Sequence, residues 1–379
     1  MKKKNKLKIT IFIILILFLV YIISVFVISI FSFNNLKLNN DIGYQGNDYN
    51  WNSTNTINVL VVYESKVNNY YLNTYNSIMS IDPSGQVAFL NIPDNMKIAT
   101  SSNTYQKLNT IYPLGDLNSN KNGMNDLLKY LRYSLALPIQ GYISFSSSGI
   151  KGLNVSIYSN IKYKNIIKNG ENNLNSKQMN YILSIKTDNN STLYLKNLIF
   201  NNLLFSFVNP ISLINYKSRV VAFKNLFYSN INSKGFSNLL IDFYKIGINN
   251  IKYNYLPYSN KINLTNTDNY IQSNFTDNTF SNSGVSVQIL DASNSNFAVY
   301  QFSRYIQNLG GNISSIGIYN SNTYKDIIFV GNLSKYGYEV NVIKDILGPN
   351  NVIIKDNNPN FFYTGTIIVV LGQVDNYIY

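Results

Sequence analysis

The segment 77–99, SIMSIDPSGQVAFLNIPDNMKIA, constrains this chain more than any other. Two apolar runs, 78–81 and 87–92, flank Asp82-Pro83-Ser84-Gly85. Pro presets the φ of a turn's second residue, and Gly accepts the positive φ that closes one. The runs therefore read as an antiparallel hairpin, with Asp82 as a turn residue. Pro93, with Asp94 and Asn95 behind it, breaks the second strand. A hairpin needs a sheet to belong to. Residues 57–63 (INVLVVY) supply a third strand, apolar enough to be buried on both faces.

Two absences bound the chemistry. The chain has no Cys, so disulfides, thiolate metal sites and a Cys nucleophile are excluded. It has no His, which removes Ser-His-Asp triads, His-ligated zinc and His acid–base catalysis. Catalysis would have to use carboxylates, Lys, Arg, Tyr, hydroxyls or a hard cation held by oxygen. The net charge is +13, and Lys2, Lys3, Lys4, Lys6 and Lys8 supply five of the positive charges. No dense basic patch follows that tail, so nucleic acid is not an expected partner. The remaining basic surface reads as solvation, or as attraction to anionic polymer or lipid phosphate.

Residues 9–33 are apolar and uncharged, broken only by single Thr and Ser residues. At about 1.5 Å per residue they can cross a hydrocarbon core of about 30 Å. The basic tail 1–8 precedes them, so the expected topology has a cytoplasmic N-terminus and an extracytoplasmic bulk, anchored in the cell membrane by one helix. A cleaved signal peptide is the rival reading, but the run is long and no A-x-A site follows it. Residues 34–56 read as a polar tether.

The expected fold class is α/β: this transmembrane helix, a layered α/β domain over 57–258, a polar linker over 259–283 and a small α+β domain over 284–375. In the first domain, helices are expected over 126–137, 176–185, 193–207, 212–227 and 237–246, with another opening over 148–153. The last domain reads β-α-β-β-α-β plus one strand, a small sheet with helices on one face. Gly310-Gly311 is expected to end its first helix.

The order of these pieces resembles the LytR-CpsA-Psr family of cell-envelope proteins. Asn91-Ile92-Pro93-Asp94-Asn95 stands where that family has a Ser-Ile-Pro-Arg-Asp-like sequence. Lys107-Leu108-Asn109, with Tyr112 after it, is similar to a Lys-Ile-Asn-like element. Leu137-Pro138-Ile139-Gln140-Gly141-Tyr142, with Phe145 and Gly149 beyond, resembles a Pro-Ile-Asp-Tyr-Tyr-like strand. Asn209-Pro210 resembles a helix opening. Residues 285–293 and Val369-Val370-Leu371-Gly372 resemble the family's LytR-type C-terminal domain. The resemblance implies a phosphotransferase that moves glycopolymer from a polyprenyl-pyrophosphate carrier to peptidoglycan, with Mg²⁺ and a ring of Arg and Asp. Arg forks and a metal would hold the pyrophosphate and stabilise the leaving phosphate.

Most of that ring is replaced here. The acidic position after the first strand falls at Ser65, beside Glu64. An Arg-x-Asp pair falls at Leu72 and Thr74. The Arg and Asp after Ile92-Pro93 fall at Asp94 and Asn95. A later Arg-x-Arg falls at Ser184 and Lys186, and an Arg and Gln on the next helix fall near Leu195, Lys196 and Asn197. The resemblance thus leaves Lys107, Asn109, Lys186 and Lys196 as candidate phosphate contacts, and Glu64, Thr74, Asp94 and Asn95 as a polar site. Asp94 reads more readily as a loop cap than as a ligand, and Lys107 and Lys186 read equally as surface lysines. No metal ligand is assigned; Mg²⁺ is expected only if the protein is active.

Three functions remain open at this point. One is a degenerate relative, a pseudoenzyme of cell-wall biogenesis that binds polyprenyl phosphate, an anionic glycopolymer or a partner enzyme. The second is an active transferase with a site redrawn around Glu64, Lys107 and Lys186. The third is a surface scaffold without a ligand in its first domain.

Overall fold

The computed structural model describes residues 37–373 except 68–69, 102–103, 118–121, 187–188, 209–215, 248–249, 294, 322, 349–351 and 357–363, together with Ile16, Val20 and Tyr21. Most of the apolar run 9–33 lies outside these, as do Asn209 and Pro210. Among the described residues no helix is long and apolar enough to cross a membrane. The expected fold class is corrected accordingly: the described chain is a mixed α/β molecule of several sheets with no transmembrane helix among its elements.

Strands β1 (Ile57–Val67), β2 (Tyr70–Ile81) and β3 (Val87–Ile92) form an antiparallel meander. The turn between β2 and β3 is held by Asp82, whose carboxylate accepts from Ser84 Oγ at 2.6 Å and Gln86 N at 2.9 Å. Gly85 has φ +83°, which the turn requires. After β3 come β4 (Lys97–Ala99) and β5 (Tyr105–Lys107), a short antiparallel pair, then helices α1 (Leu108–Leu117) and α2 (Gly123–Leu135). Strand β6 (Gly141–Ser146) joins β1 in parallel.

Strands β7 (Asn154–Ser159) and β8 (Gly170–Asn175) pair with each other, outside the central sheet. Helices α3 (Ser176–Leu183), α4 (Asn190–Val208) and α5 (Tyr216–Leu226) follow, then β9 (Phe227–Ser229), α6 (Ser233–Ile246) and β10 (Lys252–Tyr255). The central sheet has the order β10-β3-β2-β1-β6-β9. Where a helix was expected to open over 148–153, the chain makes turns, with Gly152 at φ +80°.

The alternation of β1 explains why residues 59–63 are apolar throughout. Val59, Val61 and Tyr63 join one core with Leu195, Ile199 and Phe200 of α4. Leu60 and Val62 join the opposite core with Leu108 and Ile111 of α1 and Leu127 of α2. Both faces are covered by helices, so neither tolerates a polar stripe. The described part of the expected tether 34–56, from residue 37, is not free. Leu38 and Trp51 are 1% exposed within the first of these cores, and Asn39 and Tyr49 bridge to Tyr228 and Ile231.

The stretch expected as a linker is helical: α7 (Leu264–Asn274) and α8 (Asn278–Asn282). Ile271 and Phe275 enter the α1–α2 core, and Phe280 enters the core of the last unit. That unit comprises β11 (Ser286–Asp291), α9 (Asn296–Asn308), β12 (Asn312–Ile318), β13 (Asp326–Val330), α10 (Leu333–Leu347), β14 (Val352–Asp356) and β15 (Ile367–Leu371), with sheet order β12-β11-β15-β13-β14. Helices α9 and α10 share the core cluster on one face of this sheet. Helix α9 ends in a Schellman motif: Gly311 N donates to Ile306 O, Gly310 N to Gln307 O, and Gly310 has φ +86°.

Candidate functional site

Most of the expected site residues meet at one end of the central sheet. Tyr63 pairs with Tyr75 and Glu64 with Asn73, so Thr74 is the extra residue of a β-bulge. The bulge turns Thr74 toward α3, where its Oγ1 donates to Leu183 O at 2.8 Å. Ser65 Oγ donates to Ser184 Oγ at 2.8 Å nearby. These contacts bring the end of α3 against the sheet.

Lys196 reaches the same place from α4 and is fully buried. Its Nζ donates to Thr74 O, and to Ile185 O at 2.6 Å. Burial lowers its pKa to about 8, while the charge of Asp94 acts in the opposite direction. Asp94 is itself buried in the loop after Pro93. Asn109 N donates to Asp94 O at 3.0 Å, and Asn109 Nδ2 to Asn95 Oδ1 at 3.2 Å. Thr74, Asp94, Asn95, Asn109 and Lys196 are thus one connected group. Asn197 continues it, accepting from Tyr75 Oη at 2.6 Å and donating to Asn91 Oδ1 at 2.8 Å. Lys107 and Lys186 are exposed at the surface.

Glu64 belongs to a second, acidic group. Its partner is Asp41, which arrives from the segment expected to be a tether. Asp41 Oδ1 accepts from Tyr112 Oη at 2.7 Å and Gly43 N at 2.9 Å, and Oδ2 accepts from Ser144 Oγ at 3.0 Å. Asp41 N donates to Tyr142 Oη at 2.6 Å. Burial pushes the Glu64 carboxyl well above the usual range, and the Asp41 charge and a hydrogen bond with Asp41 push it further. Burial also raises Tyr112 and Tyr142. Asn73 and Asn76 are fully buried on β2, and neither end of either amide has a hydrogen-bond partner among the described residues.

Sequence reasoning missed Asp41, Asn73, Asn76 and Ser144. For the two asparagines a signal existed, because Asn is depleted in strands and these stand beside an apolar β1. For Asp41 nothing local marks it out; its role depends on a chain reversal that seats it beside Tyr112 and Ser144.

Asp41 and Glu64, with Asp116 close enough to raise Glu64 as well, are the carboxylates that an Mg²⁺ ion would have to use here. That ion takes ionised carboxylates and water in near-octahedral geometry. Burial and the neighbouring acidic charges hold Glu64 toward its neutral form, a shift that a cation would offset, and Asp41 is engaged by three donors. Ser65 and Thr74 face α3. Among the described residues no group of three or more Asp, Glu, His or Cys is arranged to hold a metal.

No family model matches the chain, and no curated protein matches it. Solved structures do. TagV of Bacillus subtilis is 14% identical, covering 57% of this chain and 94% of its own, at a TM-score of 0.43. TagT bound to LI-WTA is 12% identical, covering 58% of this chain and 89% of its own, at 0.43. A transcriptional regulator from Enterococcus faecalis is 10% identical, covering 72% of this chain and 91% of its own, at 0.43. TagT and TagV belong to the family that the order of motifs resembles. Likeness at this level decides neither fold nor chemistry, which rest on the geometry above.

Proposed function

We propose that this chain is a cell-envelope protein of the LytR-CpsA-Psr type whose phosphotransfer site has turned inward, leaving a binding or assembly role in place of glycopolymer transfer. One observation carries the reading. Lys196, standing near where the resemblance places an Arg, is fully buried and held by Thr74 O and Ile185 O, under the influence of Asp94. A pyrophosphate would have to displace both carbonyls and approach the Asp94 carboxylate. Phosphoryl transfer depends almost wholly on positioning and on stabilising charge. A site whose cation serves internal carbonyls lacks that stabilisation. Lys107 and Lys186 could hold phosphate only as point charges at the surface. The ligand class that the resemblance supports is polyprenyl phosphate or an anionic glycopolymer.

The test is a transfer assay with the purified full chain, Mg²⁺, a polyprenyl-pyrophosphate-linked glycopolymer and peptidoglycan. The expected result is no transfer above the protein-free control. Transfer that Lys107→Ala abolishes would overturn this reading in favour of a redrawn active site.

A further inference from the structure

A second site lies away from these residues, between α7 and α9. The cleft there has a volume of about 570 Å³, within the roughly 300–1,000 Å³ range of small-ligand sites. Its walls are two helix faces. Thr265, Asn269 and Gln272 follow one another at four- and three-residue spacing on α7, and Tyr300 and Gln307 do so at seven on α9. All five are exposed. Tyr300 is 49% exposed, and Phe297, one turn earlier on α9, is 39% exposed. The aromatic edge of the cleft therefore extends along the helix.

The electrostatics of the cleft are as informative as its shape. Its two charged lining residues are Asp268 and Arg304, and they neutralise each other. Arg304 Nε and Nη2 donate to the two carboxylate oxygens of Asp268 at 2.7 and 2.9 Å. The remaining guanidinium hydrogens go to Tyr133 O, Ser134 O and Gln301 Oε1. Every guanidinium donor is thus used within the protein. The Arg304 guanidinium also lies over the Tyr300 ring, 5.8 Å from its centroid, so what the cleft offers a ligand is the other face of that ring, amides and a hydroxyl, without net charge. In a chain of net charge +13 no Lys lines it among the described residues. Phosphate finds no available cation, and a cation finds no free carboxylate.

From this chemistry we infer that the α7–α9 cleft binds a neutral saccharide chain, with Tyr300 stacking on a sugar ring and Asn269, Gln272 and Gln307 meeting its hydroxyls. Side-chain amides both donate and accept, as sugar hydroxyls do. A half-exposed ring supplies apolar area for the C–H face of a pyranose. The inference rests on the cleft alone and stands apart from the phosphotransfer reading.

Binding of the purified full chain to an N-acetylglucosamine tetramer and to maltotetraose, followed by calorimetry and ligand-observed NMR, tests it. The two probes separate an N-acetylated glycan strand from a plain glucan. Binding to one of them is expected, little changed by added NaCl, and weakened about tenfold by Tyr300→Ala. Tyr300→Phe is expected to keep most of the affinity. Thermal melts of each variant establish that it is folded. Failure to bind either oligosaccharide, equal binding by Tyr300→Ala, or binding to polyphosphate alone would overturn the inference. A transferase-active protein that still bound the tetramer through Tyr300 would overturn only the proposed function.

Discussion

At the scale of single residues, the buried ionisable groups set the pH behaviour of the fold. Burial lowers the Lys196 ammonium to about 8 from an ordinary 10.5. Between those values the unfolded chain keeps a proton that the folded chain has released. Unfolding then takes up protons, so this group makes stability rise with pH across that window. Denaturant midpoints of the wild type and Lys196→Met at pH 8 and 9.5 should diverge in favour of the wild type. Parallel midpoints would mean that Lys196 is not so shifted. Glu64 acts with the opposite sign. Its folded pKa lies well above 4.5, so from about pH 4.5 upward the folded chain holds a proton that the unfolded chain has lost. Stability from this group falls as pH rises. Glu64→Gln keeps a hydrogen-bond donor toward Asp41 without the titration. It should be at least as stable as the wild type at pH 7.5, and its advantage should shrink at pH 4.5.

At the scale of elements, two helix ends are closed in different ways. Helix α9 uses glycine. Gly310 has φ +86°, and a Cβ there would sit 2.4 Å from Ser281 Cβ on α8. Gly85 has a similar φ of +83° in the β2–β3 turn but open space around it. Gly85→Ala should therefore cost only the left-handed backbone penalty, about 1–2 kcal/mol. Gly310→Ala should cost clearly more, because the clash adds to the same strain. Equal losses in chemical denaturation would contradict this account. Helix α2 ends without glycine, at Ala136 with φ +45°. Its last carbonyls are satisfied from outside: Tyr133 O and Ser134 O by Arg304, and Leu135 O by Asn308 Nδ2 at 2.9 Å. The Gly310-Gly311 stop was legible in the sequence, since its physics is local. The expected end of α2 at 137, just before Pro138, lies two residues beyond where the helix stops, because its caps come from a helix about 170 residues away.

At the scale of the whole molecule, α7 and α9 lock the two sheets together. Asp268, Arg304 and Asn308 form a buried network, with Asn308 Nδ2 donating to Asp268 Oδ1 at 2.8 Å. Arg304→Ala would leave Asp268 without its buried cation and remove the donor that caps Ser134 O, while Gln301 and Asn308 still cap Tyr133 O and Leu135 O. Breaking one side of such a pair costs about 3–5 kcal/mol. Arg304→Lys should recover little, because an ammonium cannot fork across both carboxylate oxygens and two carbonyls. The wild type should unfold in one cooperative transition, and Arg304→Ala in two separable ones. Calorimetry of both proteins checks this, and a single transition in Arg304→Ala would show that the apolar contacts of Phe275 and Phe280 suffice.

The sequence by itself determined the features that a few neighbouring residues control. The Asp82–Gly85 turn, the doubly buried β1 and the glycine stop of α9 depend on φ preferences and short periodicities, which any stretch of chain carries with it. Tertiary structure alone decided which polar residues face one another. The stretch 259–283 read as a linker because Asn, Thr and Ser outnumber Ile271, Phe275 and Phe280, yet those three apolar residues dock two helices into two cores. Asp41 looked like part of a tether until the fold seated it under Tyr112 and Ser144. Lys196 read as a phosphate contact, and the fold gave it backbone carbonyls instead. A charge declares its sign in the sequence, but its solvation and its partners are set by elements that arrive from far along the chain.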